Sequence, residues 1–183
     1  PGGADQAARF RRLCAAFDLP VLSLCDAPGI MVGAKGEKSA NVRHASRMCV
    51  VGAGVTVPVM TIVLRKGYGL GAQAMAAGSF HAPLFTVSWP TGEFGGMGLE
   101  GAVKLGFRKE LEAVDDPQER RELYEKMVAR AYEVGKAVNM GSHFEIEDVI
   151  EPADSRQRVV SALRSVPDPA PRTGKKRPCI DTW

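Results

Sequence analysis

The sequence has few of the side chains that bind metal ions or act as nucleophiles. Its 183 residues include 4 cysteines and 3 histidines. The cysteines are widely separated, with no C-x-x-C pair and no clustered histidines: Cys14, Cys25, Cys49 and Cys179. Because the spacing of a metal site is missing, we expect no metal cofactor. We expect the thiols to be buried or incidental, in a reducing compartment.

Long apolar runs and nucleic-acid motifs are also missing. No apolar run reaches the roughly 18 residues of a membrane span, and no signal peptide opens the sequence. We therefore expect no membrane partner and a cytoplasmic location, or the mitochondrial matrix in a eukaryote. The net charge is +3, and basic residues cluster only at 175–177, so we expect no nucleic-acid partner. Because the sequence begins at Pro1 rather than Met, we expect a processed chain or a piece of a longer polypeptide.

What remains is the composition of a globular protein, with 45% hydrophobic and 25% charged residues. Strand, turn and helix patterns alternate along it, which predicts an α/β fold with parallel strands and right-handed crossovers. The predicted strands lie within 20–29, 57–64, 83–89 and 144–150. The predicted helices cover 5–17, 39–54, 72–77, a segment from Leu99, a segment from Asp116 to a stop at Gly141, and 152–166. Residues 30–38 and 90–98 are predicted loops.

Two of these elements carry stronger signals than the others. The run VPVMTIVL, residues 57–64, is apolar at nearly every position, which predicts a strand covered on both faces. Asp116, Pro117 and Glu119 suit the first turn of a helix. The apolar residues that follow at helical spacing predict a buried stripe along that helix: Leu123, Met127, Ala131, Val134 and Val138.

The strand at 57–64 leads into RKGYGLGAQAM, residues 65–75, which contains Gly67, Gly69 and Gly71. Backbone N–H groups at the start of a helix, cleared of side chains, form an anion site or an oxyanion hole. The glycines could equally serve only to pack the helix tightly on the sheet. The spacing matches neither a dinucleotide fingerprint nor a P-loop.

Side-chain acids and bases are fewer than backbone donors. Glu93 and Glu100 flank a glycine-rich loop and could form a carboxylate pair, although Glu100 also suits the first turn of a helix. Asp26 stands where a turn former is expected, and His44 suits a packed or surface position. This balance favours chemistry in which the substrate or cofactor moves its own protons while the protein stabilises oxyanions.

Five motifs then occur in an order and spacing that resemble a known family. They are Ala7-Ala8-Arg9-Phe10, Asp26-Ala27-Pro28-Gly29, Val57-Pro58 with the strand into Arg65–Gly69, Trp89–Glu93 with Met97-Gly98-x-Glu100-Gly101-Ala102-Val103, and Glu151–Arg156. From residue 7 to about 165, the chain resembles the C-terminal half of the carboxyltransferase component of biotin-dependent acyl-CoA carboxylases. The resemblance implies a crotonase-like fold, a spiral of strand-strand-helix units. Residues 1–166 would form the C-terminal lobe and 167–183 an extended, proline-rich, basic tail along the surface or a partner.

The resemblance also implies partners. In that family the C-terminal half binds carboxybiotin on a carrier protein or domain, and the N-terminal half binds the acyl-CoA. The active site lies between halves of two subunits. We therefore expect biotin carried on a partner as cofactor and acyl-CoA as substrate. The expected partners are the biotin carboxyl carrier, biotin carboxylase, the N-terminal carboxyltransferase half and further copies in a homo-oligomer. Alone, this chain would hold half an active site.

Residue roles follow from the same resemblance. Carboxyl transfer from carboxybiotin to the α-carbon of an acyl-CoA needs two oxyanion holes, and the biotin-side pair maps onto the backbone N–H groups of Leu70 and Gly71. The other positions expected to bind substrate are Gly67, Tyr68, Gly69, Ala72, Gln73, Pro28 and Gly29; position 73 influences the choice of acyl chain. Leu70 replaces a glycine of the family, and leucine tolerates a positive φ angle poorly. Replacing Gly71 by valine is expected to block biotin while leaving the fold intact.

Three other functions remain open. A biotin-dependent acyl-CoA decarboxylase would use the same site in reverse. A crotonase-type hydratase or isomerase would use positioned glutamates, for which Glu93 and Glu100 are the candidates. A non-catalytic assembly subunit would retain only the fold.

Overall fold

The computed structural model describes residues 2–177 and 179–180 of the chain. The strands are β1 (Val21–Ala27), β2 (Val59–Tyr68), β3 (Phe85–Ser88), β4 (Glu93–Gly95) and β5 (Asp148–Val149). The first helices are α1 (Gly2–Ala16), α2 (Ala34–Lys38), α3 (Asn41–Ala53), α4 (Gly69–Met75) and α5 (Leu99–Gly106). The later helices are α6 (Arg108–Glu112), α7 (Pro117–Val134), α8 (Ala137–Ser142), a 3₁₀ turn (Pro152–Asp154) and α9 (Ser155–Ser165). In this described part, no helix has the length and apolarity needed to cross a membrane.

The five strands form one parallel sheet, as predicted. The order is β1-β2-β3-β5, and β4 pairs with the end of β2. In the centre of the sheet, Thr61 of β2 lies opposite Ser23 on one side and Thr86 on the other. Residues 59–63 are all buried, which confirms the prediction of a strand covered on both faces.

The hydrophobic core lies on both sides of β2. On one face, Cys25, Val63 and Phe94 pack with Ala72 of α4 and Ala137 of α8. On the other, a second cluster joins the sheet to α9, and its members are Met60, Ile62, Phe85 and Val87 with Val159 and Ala162. Burying this apolar surface stabilises the fold by roughly 25 cal/mol per Å². The two layers hold the end of β2, and hence the start of α4, in a fixed place.

Several short elements differ from the prediction. The predicted loop 30–38 contains α2, and the predicted loop 90–98 contains β4. The strand predicted at 144–150 shortens to Asp148–Val149. The two strands, β4 and β5, are stabilised by long-range pairing, such as Phe94 of β4 with Gly67 of β2, which leaves no periodic pattern in a glycine-rich segment.

Helix α7 begins as predicted but ends early. Asp116 accepts hydrogen bonds from the backbone N–H groups of Gln118 and Glu119, at 2.7 and 2.9 Å. The helix ends at Val134, before Gly135, rather than at the predicted Gly141. A β-carbon at Gly135 would lie 2.4 Å from the carbonyl oxygen of Phe94, and the N–H of Phe94 donates to the carbonyl of Gly135. The contact of Gly135 with β4 therefore ends the helix at Val134.

The prediction that the apolar stripe of this helix is buried is wrong. Leu123, Met127 and Ala131 are only half-buried. Val134 is 50% exposed and Val138, now on α8, is 63% exposed. The stripe does lie on one face of α7, but that face borders an open groove rather than the core. The periodicity identified the correct face of the helix, while the elements of this chain cover it incompletely.

The described part of the tail contacts the chain just after α1 and at the end of α3. Arg172 and Lys176 both pair with Asp18, just after α1. The guanidinium of Arg177 donates to the carbonyl oxygen of Gly54, 2.8 Å away, at the end of α3. Residues 178 and 181–183 of the predicted tail lie outside the described residues.

Candidate active site

The candidate site is centred on the turn that joins β2 to α4. Tyr68 ends the strand and Gly69 begins the helix, with no residue between them. Tyr68 has an extended backbone, with φ −100° and ψ 126°, and its side chain does not cap the helix. Because the first N–H groups of a helix have no intrahelical acceptor, those of Gly69, Leu70 and Gly71 form a small set of donors. This is the arrangement expected of an anion site.

Each glycine of the turn also serves a packing contact. Gly69 has φ +55°, and a β-carbon there would lie 2.5 Å from the carbonyl oxygen of Gly96. A β-carbon at Gly71 would lie 3.0 Å from the carbonyl carbon of Gly29, and one at Gly67 would lie 3.0 Å from the ring of Phe94. The expectation that Gly71→Val leaves the fold intact stays a prediction; a side chain there would require the backbone at Gly29 to shift by a few tenths of an ångström.

Leu70 fits the turn without strain. Among the described residues other than glycine, positive φ angles occur at Asp18, Ala40, Ala77 and Phe144, so Leu70 does not need the left-handed conformation. Its side chain points outward and the residue is 64% exposed. The exchange of glycine for leucine therefore leaves the backbone donor in place.

Two of the predicted binding residues support the turn from behind. Ala72 has 0% exposure and lies in the core with Cys25 and Val63. Tyr68 is buried, and its hydroxyl donates to Oε2 of Glu93 at 2.9 Å. Burial and this hydrogen bond both raise the pKa of Tyr68 well above its usual range. The side chains of Tyr68 and Ala72 hold the turn in place and do not border open space.

The other predicted residues divide between two cavities. The first, of about 460 Å³, is the turn cavity, bordered by Gly67, Gly69 and Gln73 together with Phe94 and Met140. The second, of about 440 Å³, is the loop cavity, bordered by Gly29 and Gly71 together with Met31, Lys35 and Asn41. Pro28 is exposed beside Gly29. The start of α4 thus borders both spaces, through Gly69 on the turn cavity and Gly71 on the loop cavity.

A third space, the α7 groove, lies between α7 and the chain from Phe94 to Phe107. It measures about 640 Å³ and is bordered mainly by apolar side chains, including Phe94, Leu99, Phe107, Leu123, Met127 and Val134. Sequence reasoning missed this groove because it assigned the α7 stripe to the core.

The two candidate glutamates are both bound by tyrosines. Glu93 accepts from Tyr68, and Oε1 of Glu100 accepts from the hydroxyl of Tyr132 at 2.7 Å. The bond from Tyr132 lowers the pKa of Glu100. A general acid needs a raised pKa to hold its proton near neutral pH, so Glu100 is poorly suited to that role. No sequence pattern indicates these tyrosine partners, which lie 25 and 32 residues away from the glutamates.

Asp26 is more than a turn former. Its carboxylate accepts from Nη2 of Arg65 at 2.9 Å and from the N–H of Lys66 at 3.0 Å. These bonds, with that from Arg65 the stronger, lower the pKa of Asp26. The carboxylate therefore ties the end of β1 to the end of β2. His44 lies in a packed position, with Nδ1 2.7 Å from Oδ2 of Asp5.

Arg11 is a supporting residue that sequence reasoning missed. It is 4% exposed, and Nη1 donates to the carbonyl oxygen of Ala74 at 2.6 Å. Nη2 donates to the carbonyl of Met75. The guanidinium therefore caps the C-terminal end of α4, opposite the donors of the turn. The available signal was its position on α1, on the same helical face as the buried Ala8 and Ala15.

Within residues 2–177 and 179–180, no three His, Cys, Asp or Glu side chains are grouped so that they could hold a metal ion. The candidate donors of the site are backbone amides, and Asp26, Glu93 and Glu100 beside it each accept a hydrogen bond from another side chain. The arrangement is suited to stabilising a developing oxyanion rather than to transferring protons.

The chain is similar to proteins of one family. Residues 1–177 match the model of the carboxyl transferase domain. The propionyl-CoA carboxylase carboxyltransferase subunit of Haloferax mediterranei is 38% identical over 165 residues, which are 88% of this chain and 31% of that protein. The methylmalonyl-CoA decarboxylase subunit alpha of Propionigenium modestum is 36% identical over 163 residues, covering 87% of this chain and 30% of that protein.

Two solved structures are similar throughout most of the chain. A single-chain, multi-domain long-chain acyl-CoA carboxylase is 55% identical, with a TM-score of 0.77, and the match covers 87% of this chain and 15% of that one. The transcarboxylase 12S subunit, solved as a hexamer with methylmalonyl-CoA, is 32% identical, with a TM-score of 0.79, and the match covers 98% of this chain and 34% of that one.

The chain thus spans about a third of the length of the curated relatives it matches. Its mixed α/β architecture with a parallel sheet is the crotonase-like fold of the carboxyltransferases. By the match over residues 1–177 and the identity to these relatives, the chain belongs to the carboxyl transferase domain family.

Proposed function

We propose that the protein transfers a carboxyl group from carboxybiotin, held on a carrier domain, to the α-carbon of an acyl-CoA, and that this chain contributes the biotin-side half of the site. The observation that carries the proposal is the start of α4, which has no side-chain cap and where Gly69 borders one cavity and Gly71 another, on either side of Leu70 in the sequence. Membership of the carboxyl transferase family supports it.

The donors at Leu70 and Gly71 stabilise negative charge on the ureido oxygen. Biotin, when bound, supplies the carboxyl group and takes up the α-proton of the thioester. An oxyanion donor that is already oriented is worth roughly 100- to 1000-fold in rate. Around it, Asp26, Tyr68 and Arg11 keep the turn in place through the hydrogen bonds described above. The loop at Pro28 and Gly29, and Gly67 and Gly69 on the other side, complete the contact surface.

The acyl-CoA half of the site would come from the remainder of the polypeptide or from a partner chain. The coverage of 15 to 34% of the matched proteins supports this division. We propose a biotin carboxyl carrier, a biotin carboxylase and an N-terminal carboxyltransferase half as partners, and assembly into a homo-oligomer; the hexamer of the 12S relative supports the last. A cytoplasmic location, or the mitochondrial matrix in a eukaryote, remains a prediction.

We further propose that the acyl-CoA is a long-chain thioester. The 55% identity to a long-chain acyl-CoA carboxylase exceeds the 38% identity to a propionyl-CoA enzyme. Gln73, whose position influences acyl choice in the family that the chain resembles, borders the turn cavity.

The experiment that tests the reaction is biotin-dependent loss of carboxylate from malonyl-CoA and methylmalonyl-CoA. It uses the full-length polypeptide, or this chain combined with its missing half. Turnover that requires added biotin is the expected result. Associated halves without turnover would contradict the proposal and favour a non-catalytic assembly subunit.

A biotin-dependent decarboxylase is the second candidate, supported by the 36% identity to the decarboxylase subunit of Propionigenium modestum. The two candidates use the same site in opposite directions. Transfer of labelled carboxyl from carboxybiotin to an acyl-CoA favours the carboxyltransferase. Decarboxylation of malonyl-CoA without measurable transfer favours the decarboxylase.

A hydratase or isomerase is distinguished by Glu93→Gln and Glu100→Gln. We expect each variant to keep carboxyl transfer within about fivefold, because the glutamine oxygen can still accept the hydrogen bond from Tyr68 or Tyr132. If these carboxylates act as general acid and base, each change should instead lower the rate of thioester turnover by roughly 100- to 10,000-fold. Rates with each thioester decide between the two outcomes, and a loss of that size would contradict the carboxyl-transfer assignment.

A further inference from the structure

The turn cavity and the α7 groove are adjacent. Both are bordered by Phe94, Gly95, Val134 and Met140. The start of α4, with Gly69 and Gln73, therefore lies on one side of these shared residues and the apolar face of α7 on the other. The ring of Phe94 is held by an edge-to-face contact with Phe80, with 5.6 Å between the ring centroids.

The groove has the dimensions of a fatty acyl chain. It measures about 640 Å³, and a methylene group needs about the room of a water molecule, whose share of the liquid is about 30 Å³. A chain of more than ten carbons therefore fits, whereas a propionyl group would leave almost all of it empty. Along α7, Leu123 lies eleven residues before Val134, which corresponds to a rise of about 16 Å.

The chemistry of the lining also suits a hydrocarbon. Leu99, Leu123, Met127 and Met140 border the groove, and methionine adapts to ligands of varying shape. The charged residues that border it are Lys126 and Arg130, both exposed, whose aliphatic stems can cover apolar surface while their charges stay in water. Among the described residues, no carboxylate borders it.

From this adjacency, size and lining, we propose that the α7 groove holds the hydrocarbon chain of a long-chain acyl-CoA, with the thioester end at the β2–α4 turn. This inference rests on the proposed function and assigns the substrate class to particular residues. Phe94, Val134 and Met140 form the passage between turn and groove. The stripe on α7 is then a ligand surface, which explains why this chain does not bury it.

The test compares Ala131→Phe with Ala129→Phe in the full-length polypeptide or the combined halves. Ala131 borders the groove, whereas Ala129 is exposed on the same helix and does not border it. In the unchanged protein, KM should fall about fourfold for each methylene added to the thioester until the groove is full. Ala131→Phe should lower kcat/KM for palmitoyl-CoA at least tenfold and leave propionyl-CoA within twofold. Ala129→Phe should change neither.

The possible outcomes distinguish a wrong assignment of the groove from a wrong assignment of the carboxyl-transfer reaction. An equal loss with both thioesters in Ala131→Phe would overturn the inference and identify the groove as a contact between protein segments. Palmitoyl-CoA used no better than propionyl-CoA by the unchanged protein would also overturn it. If no thioester is carboxylated, the proposed function fails, and calorimetric binding then decides the inference. Tighter binding of palmitoyl-CoA than of propionyl-CoA, abolished by Ala131→Phe, supports it, and equal binding overturns it.

Discussion

Replacing the amide between Leu70 and Gly71 by an ester should lower carboxyl transfer by roughly 100- to 1000-fold. The ester removes the N–H of Gly71 and adds no atom that could collide with Gly29, unlike a valine at this position. The lost donor would stabilise charge chiefly in the transition state, so kcat should fall more than KM rises. Steady-state rates with carboxylated biotin and the preferred thioester measure the effect.

A matched control exists in the following helix. Gly101 is the third residue of α5, as Gly71 is of α4, and the residue before each helix provides no side-chain cap. An ester between Glu100 and Gly101 should therefore leave transfer unchanged. Leu70→Ala should also keep the rate within about twofold, because the exposed side chain is not the donor. Equal rates for the two esters would mean that the start of α4 is not the oxyanion site.

Replacing Arg11 by methionine should lower the free energy of local unfolding of α4 by about 2–4 kcal/mol, because two buried carbonyl groups lose their donors. Amide exchange within α4 should then accelerate by about 30- to 1000-fold. Hydrogen exchange in the full-length polypeptide, followed by mass spectrometry of the peptide that contains Gly69–Met75, measures it.

Two further variants serve as controls for the exchange rate of Arg11→Met. Arg9 lies two residues away on α1 and is exposed, so Arg9→Met should stay within about 0.5 kcal/mol. Arg11→Lys should fall between the two, because an ammonium group cannot donate to both carbonyls with a fixed fork. Unchanged exchange in Arg11→Met would show that α4 does not depend on this cap.

Features with a local physical cause could be predicted from the sequence. The continuous apolar run predicted the buried β2, and Asp116 with Pro117 predicted the start of α7, because each acts through its immediate neighbours. The glycine-rich turn could be located for the same reason. Its two interpretations, as packing and as donors, turn out to be compatible, since the contacts that exclude a β-carbon also hold the helix start in place.

Features set by distant contacts could not be predicted. The early end of α7 depends on Phe94, 41 residues before Gly135, and the engagement of Glu100 depends on Tyr132. Arg11 looked like one surface arginine among three nearby, because its acceptors are 63 and 64 residues away. The α7 stripe shows a related difficulty: helical periodicity identifies an apolar face, whereas what occupies that face lies outside the pattern.

The close approach of Gly69 to Gly96 has a consequence for how sequences of this fold can diverge. A methyl group at position 69 would need to occupy the space of the carbonyl oxygen of Gly96. No single substitution at position 69 can be accommodated unless the segment after β4 first retreats, which would also widen the turn cavity. Because the collision is with a backbone atom, a different side chain at position 96 would not relieve it. Divergence at this turn should therefore require changes that move the whole segment after β4, and these would alter ligand preference at the same time.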